Sequence, residues 1–203
     1  MGHSSVIRTF ALAALAVGGL AACEREAPRD TVRLQVEEAP DYMQPAGEAE
    51  TETPELTDAA RDTIEQLRAI INSNSIYRLA RFAGQQEGFI SNFAGASHRD
   101  HWDLLRRTGF DPVLRLNDLL NQPYGTKQVG GETWYIWPDL AALDRDALQP
   151  ERLNFRQRAR LEELVGDSGI AEIRAGSGYP GVRTAIAEDG RWLYYVHESE
   201  NEE

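Results

Sequence analysis

Thr126-Lys127-Gln128-Val129-Gly130-Gly131-Glu132-Thr133-Trp134-Tyr135-Ile136-Trp137 is the stretch on which the fold reading turns. Two short runs rich in β-branched and aromatic residues flank a Gly-Gly pair. That pattern predicts two antiparallel strands, Thr126 to Val129 and Glu132 to Trp137, joined by a tight turn. A second stretch repeats the logic. Val182 to Ala187 and Arg191 to Val196 flank the turn Glu188-Asp189-Gly190. Side chains alternate across a strand. Trp134 and Ile136 therefore share one face, and Tyr135 and Trp137 the other. The same alternation sets Trp192, Tyr194 and Val196 against Leu193 and Tyr195. Both faces of such a sheet are apolar, whereas a sheet with helices on one side ordinarily turns a polar face outward. The expectation is that Trp134 and Trp192 pack against helices. Tyr135, Trp137 and Tyr195 then form the second face, which is either covered or offered to a ligand.

Upstream the period is helical. Ala60, Ile64, Leu67 and Ile71 mark an amphipathic helix over about 58 to 72. Asn72-Ser73-Asn74-Ser75 ends it and caps a second helix reaching about Gln85. Ser97-His98-Arg99-Asp100 has the form of a capping box, with Asp for the usual Glu, and opens a third helix that closes at Thr108-Gly109. Asp111-Pro112 supplies a cap and a first-turn proline for a fourth, whose apolar face is Val113, Leu116, Leu119 and Leu120. Between the hairpins, a helix is expected from Pro150 to Val165 and a short one near 169 to 175. The class is therefore α+β: N-terminal helices, then two antiparallel hairpins with an intervening helix, in a single domain over 57–197.

Outside that span the composition changes. Glu24 to Asp58 holds eleven acidic and three basic residues, and the last six residues hold four Glu. Residues 59 to 197 hold 18 acidic and 17 basic side chains, so the folded part is close to neutral. Residues 23–56 carry four prolines, many Glu and no sustained apolar period, the composition of a disordered tether. Its root-mean-square span as a flexible coil is about 30 Å. Residues 198–203 read as an acidic disordered tail. An almost neutral domain on an acidic tether argues against nucleic acid as a partner. Arg152, Arg156, Arg158 and Arg160 crowd the start of the helix after Pro150, where the dipole prefers acids. Arg156 and Arg160 are candidates for a basic binding patch, and Asp144 and Asp146 for their ion-pair partners.

The N-terminus has a basic start (Arg8), an apolar run of 13 residues from Phe10 to Ala22, and Leu20-Ala21-Ala22-Cys23. Thirteen residues are too few to span a bilayer, which needs roughly 20. The layout is that of a secretory leader over residues 1–22. Cys23 is the chain's one cysteine, so no internal disulfide is possible. Leu-Ala-Ala-Cys resembles the lipobox of bacterial lipoproteins. That resemblance implies cleavage before Cys23, fatty acylation of its thiol and new amino end, and lipid-only attachment at the periplasmic side of the envelope, at the outer rather than the inner membrane. Asn92-Phe93-Ala94-Gly95, His101 to Pro112, Pro123-Tyr124-Gly125, Trp134 to Pro138, Gly178-Tyr179-Pro180-Gly181 and Asp189-Gly190-Arg191-Trp192 resemble a group of uncharacterised envelope proteins of alphaproteobacteria. This second resemblance implies a location and a shared fold, with no activity and no catalytic residue.

Chemistry-bearing patterns are sparse. His98 and His101, three apart on a helix, face one way and could hold a metal with Glu87, Asp139 or His197. Two His at that spacing are more often capping and packing residues. No Gly-x-Ser-x-Gly, no Ser-x-x-Lys and no cofactor motif occurs. The favoured expectation is a non-enzymatic binding domain for an envelope protein or cell-wall component, through Tyr135, Trp137, Tyr195, Arg156 and Arg160. The alternative is a hydrolase of envelope glycan or peptide using His98, His101, Asp103 and Asp139. Cys23→Ser should abolish incorporation of a radiolabelled fatty acid in growing cells; label retained on that variant would rule out the anchor.

Overall fold

The computed structural model describes residues 54–197. The leader, Cys23, most of the tether and the acidic tail lie outside them. The order is α1 (Asp58–Asn72), α2 (Ile76–Ala83), α3 (His98–Arg107), α4 (Pro112–Leu120), β1 (Gly125–Val129), β2 (Glu132–Trp137), α5 (Phe155–Arg174), β3 (Arg183–Ala187) and β4 (Trp192–Val196). It is a mixed helix-and-sheet fold, and the two hairpins join into one antiparallel sheet of order β1-β2-β3-β4. Among the described residues no helix is long and apolar enough to cross a membrane.

Local chemistry places each helix start. The side chains of Thr57, Ser75, Ser97 and Asp111 accept from backbone N–H groups of the first turns that follow. The Ser97 hydroxyl also donates to the Asp100 carboxylate at 2.8 Å. Pro150 does not open α5. It begins a one-turn 3₁₀ segment, Pro150–Arg152, and the helix starts only after Asn154, which forms a full capping box with Gln157. The expected pair of helices is present as two segments within α5 that meet at a kink, where Gly166 is non-helical (φ 64°, ψ −176°). That conformation is open to glycine and closed to most other residues.

The core corrects the expected faces. Tyr135, Trp137, Ile186, Trp192 and Tyr195 are buried with Leu67, Leu79, Trp102, Val113 and Leu116 of the helices. The face that holds Tyr135, Trp137 and Tyr195 is thus the helix-packed face, and Trp134 points away from it. Trp192 joins the core because the β3–β4 register slips. Ala185 pairs with Tyr194 but Ile186 pairs with Trp192, leaving Leu193 as the extra residue of a bulge. Strict alternation along β4 fails at that one residue. The free edge of β4 is occupied in turn. Ile90 N–H donates to the Leu193 carbonyl at 3.1 Å, and Tyr195 N–H to the Ile90 carbonyl at 2.9 Å.

Two polar atoms deep in this core find partners. Tyr195 Oη donates to the Pro112 carbonyl at 2.8 Å, and Trp192 Nε1 to Thr184 Oγ1 at 2.8 Å. The β3–β4 turn is pinned to α1 by Thr57 Oγ1 to the Glu188 carbonyl (2.7 Å) and Thr63 Oγ1 to the Gly190 carbonyl (2.6 Å). Gly190 has φ 90°, and a Cβ there would lie 2.8 Å from the Ala59 carbonyl oxygen. A second, smaller core gathers Leu140, Leu148, Leu153, Leu161, Ile170, Ile173 and Tyr179 around α5.

Trp137 is 2 % exposed and Trp192 is fully buried. Trp137→Ala or Trp192→Ala should therefore cost about 3–5 kcal/mol in denaturant titrations, against about 1 kcal/mol or less for Trp134→Ala. Equal losses at Trp134 and Trp137 would contradict the face assignment.

Candidate functional site

The outer sheet face is built from residues that the register aligns. Lys127 stands opposite Trp134, which stands opposite Ala187; Ile136 faces Ala185, and Ala185 faces Tyr194. Arg183 faces Val196. The central strand β3 thus presents two alanines where its neighbours present aromatic rings. With so little side chain between them, the rings of Trp134 and Tyr194 meet edge-to-face across β3, with centroids 6.4 Å apart. Ala185 and Ala187 are fully buried, whereas Trp134 and Tyr194 keep part of their surface in solvent.

Above this floor lies an open groove of about 1130 Å³. One wall is the segment Leu143-Asp144-Arg145-Asp146-Ala147, with Arg152 beyond it. Another is the turn Ala175-Gly176-Ser177-Gly178-Tyr179, and Ile90 and Phe93 stand at the rim. Its position follows from the two cores. α5 and its flanking loops bury their apolar surface in their own cluster and leave the strand aromatics uncovered. Four cations (Lys127, Arg145, Arg152, Arg183) and two carboxylates (Asp144, Asp146) line it, a formal balance of 4 − 2 = +2. Lys127 Nζ lies 2.8 Å from Asp144 Oδ1 and ties β1 to the wall. That hydrogen bond and charge hold the exposed Asp144 carboxyl below its usual range. Arg183 also donates to the Gly181 carbonyl at 3.3 Å. Burial pushes the Tyr179 phenol well above its ordinary value, so it stays neutral.

The residues that the sequence suggested fall elsewhere. Tyr135, Trp137 and Tyr195 are core, so they form no binding face. Arg160 does not join a free basic patch. Its guanidinium grips both carboxylate oxygens of Asp139, which also accepts from Leu140 N–H at 2.9 Å. This pair fastens α5 to the turn after the cis Trp137–Pro138 peptide. Arg156 is exposed on α5, outside the groove. Asp144 pairs with Lys127 rather than with an α5 arginine. Among the groove residues, Trp134, Tyr194, Arg152 and Asp144 were visible in the sequence, but in other roles.

His98, His101, Asp103 and Asp139 do not converge. His98 Nδ1 shares a hydrogen bond of 2.8 Å with Ser91 Oγ, and its ring meets the Phe89 ring edge-on. His101 is buried, with its ring 5.7 Å from that of His197. Asp103 is 3.6 Å from Arg99, and Asp139 is held by Arg160. Among the described residues no three His, Cys, Asp or Glu side chains group as a metal site would. The Ser91–His98 contact has the composition of a nucleophile–base pair, but Ser91 is 2 % exposed. Its hydroxyl also accepts from Asn92 Nδ2 at 3.1 Å. A buried hydroxyl with two local partners braces a loop and is not open to a substrate carbonyl.

No family model, no curated protein and no solved structure matches this chain.

The half-buried His98 ring gives a pH prediction. Burial disfavours its charged form and holds its pKa below the ordinary value. The unfolded chain takes up this proton near pH 6.5 and the folded chain only at lower pH. The stabilisation is complete above about pH 6.5 and is lost progressively as the pH falls below that value toward the lower folded-state pKa. The thermal midpoint should fall between pH 7 and pH 5, and fall less in His98→Gln. An identical pH profile for both proteins would show that His98 is not the group.

Proposed function

We propose that this chain is a lipid-anchored envelope protein, held at the membrane through Cys23, whose α+β unit over 57–197 binds a partner in the groove above Trp134 and Tyr194. The observation that carries this reading is the pairing of uncovered aromatic floor with charged walls in one open concavity. Soluble domains rarely leave large aromatic surface in a concave site without use for it. The groove's residues arrive from β1 to β4, the 143–147 segment and the 175–179 turn, so that loops carried on a sheet scaffold surround the floor, which suits recognition. The Leu-Ala-Ala-Cys pattern and the acidic composition of 23–56 support a tethered domain at the periplasmic side of the envelope, at the outer membrane in preference to the inner.

Hydrolysis near His98 is the weaker reading. The carboxylates there are committed to caps and ion pairs, and Ser91 lies beneath the surface.

A photo-crosslinking residue placed at Ser177 in the full-length chain, in intact cells, should give a discrete adduct that competes away when the groove is altered by Trp134→Ala. The same residue at Leu104, exposed on α3, should give none. Adducts at Leu104 with none at Ser177 would move the binding surface to the helices.

A further inference from the structure

Phe155 is the most exposed large apolar side chain among the described residues, at 84 %. The fold holds it there firmly. Leu153, two residues earlier, is buried in the small core, and Asn154 between them closes the capping box with Gln157. The first turn of α5 is thus fixed at its base, with the Phe155 ring displayed outward. Cα–Cβ bonds in a helix tilt toward its N-terminus, so the side chains of this turn lean past the helix end.

The free charges beside it are of one sign. Arg152 lies three residues before Phe155 and Arg156 directly after it, both exposed. Neither guanidinium has an ion pair or hydrogen bond among the described residues. The other arginines of this end are committed: Arg158 to the Leu153 carbonyl at 3.3 Å, Arg160 to Asp139, and Arg174 to Glu151 at 3.0 Å. No acid stands in the first turn of α5, where the helix dipole is positive. The next acids along the helix are Glu162 and Glu163, the nearer about 10 Å beyond Phe155 at 1.5 Å per residue.

Other exposed apolar side chains have balanced surroundings. Arg99 lies over the Tyr77 ring, 5.9 Å from its centroid. Leu104 follows Asp103, which pairs with Arg99, and Leu114 precedes Arg115, which pairs with Asp118. At Phe155 three features are each unfavourable in water: an uncovered ring, two unpaired like charges, and their place at the positive end of a helix. An anionic lipid surface relieves all three. Its phosphates face the guanidinium groups, and the zone between headgroups and acyl chains receives the ring. A soluble polyanion would meet the arginines and leave Phe155 in water. An apolar protein pocket would cover the ring but desolvate the arginines without a counter-charge.

We infer that the first turn of α5 is a membrane-facing surface, with Phe155 entering the interface of an anionic bilayer and Arg152 and Arg156 against its phosphate groups. It shares only Arg152 with the groove lining, and it needs no acylation of Cys23. A contact of one ring and two charges is weak by itself. A domain on a tether of about 30 Å span meets the membrane at high effective concentration, so a weak contact is enough to set which way it faces.

The test uses the full-length chain with Cys23→Ser, which removes the one native cysteine. An environment-sensitive fluorophore is attached at Ala159→Cys, exposed one turn beyond Phe155, or at Leu104→Cys, exposed on α3. Vesicles are equal parts phosphatidylglycerol and phosphatidylcholine, or phosphatidylcholine alone. With the anionic vesicles the label at 159 should shift to the blue and be quenched by lipids spin-labelled near the headgroup, and added salt should reverse both. The label at 104 should not respond, and neutral vesicles should move neither. The readout is the ratio of shifted to unshifted label at 159, which attachment through the N-terminal apolar run alone leaves unmoved. Arg152→Gln and Arg156→Gln should each lower that ratio about fivefold, and Phe155→Ala about tenfold. All three positions are exposed, so thermal midpoints should stay at that of the parent chain. An equal response to neutral vesicles would overturn the anionic-lipid assignment. Equal responses at 104 and 159 would overturn the orientation. A label at 159 already shifted without vesicles, and unmoved by them, would show the patch covered by the chain's own acidic tether and overturn the proposal. No response at 159 together with a Ser177 adduct in cells would remove this surface and leave the groove reading standing.

Discussion

Leu193 is the extra residue that lets one sheet serve two purposes. β4 has to deliver Trp192 and Tyr195 to the same side, although three positions separate them and alternation would set them apart. The bulge absorbs that mismatch by placing Trp192 and Leu193 against the single residue Ile186. With it, Trp192 stacks near Trp102 and Tyr195 in the helical core, while Tyr194 is left on the opposite face beside Trp134. Without it, one of the two aromatic sets would lie on the wrong side. The core would lose one of its three tryptophans, or the groove would lose half its floor. Ile90 completes the arrangement by pairing with the backbone around the bulge, where the edge of β4 would otherwise offer unpaired groups.

The sequence made the elements legible because their signals are local. Caps at Ser75, Ser97 and Asp111, the Gly130-Gly131 turn and the Asp189-Gly190 turn each act within four residues, and each marks an element of the structure. The assignment of faces was not local. Alternation gives two sets of side chains for each strand but does not say which set meets the helices. On β2 both sets are aromatic, so composition could not choose. A better clue lay on β3, where Thr184 and Ile186 alternate with Ala185 and Ala187. Small residues in a central strand mark the side on which neighbouring rings close over. The bulge was hidden for a different reason: Trp-Leu-Tyr-Tyr-Val is apolar at every position, so no polar residue reports the slip. The Asp139–Arg160 clamp and the Ser91–His98 contact depend on long-range packing or on a loop path, which spacing cannot reveal.

The charged residues divide by the same logic. Arginines that look like a patch along α5 in sequence are spent on the fold, Arg160 on Asp139 and Arg158 on the Leu153 carbonyl. The cations that line the groove come instead from β1, β3 and the connections before α5. A helix whose start carries charges unfavourable to its dipole is thus tolerated because one guanidinium holds the helix to the turn after β2. The groove owes its shape to that attachment, since α5 and its loops form a separate small core and stand back from the sheet rather than lying on it.

Where the described chain begins, two phenols take hold of it. Tyr124 Oη donates to the Pro54 carbonyl at 3.2 Å, and Tyr135 Oη to the Glu55 carbonyl at 3.1 Å, just ahead of α1. α1 is in turn fastened by Thr57 and Thr63 to the far hairpin turn. Mechanical load entering through the chain ahead of Pro54 would therefore be shared at once between the β1–β2 and β3–β4 hairpins, through hydrogen bonds that act side by side. Bonds loaded together fail at a higher force than bonds unzipped one after another. A domain pulled from this end would hold its sheet, and the aromatic floor on its outer face, in shape under tension.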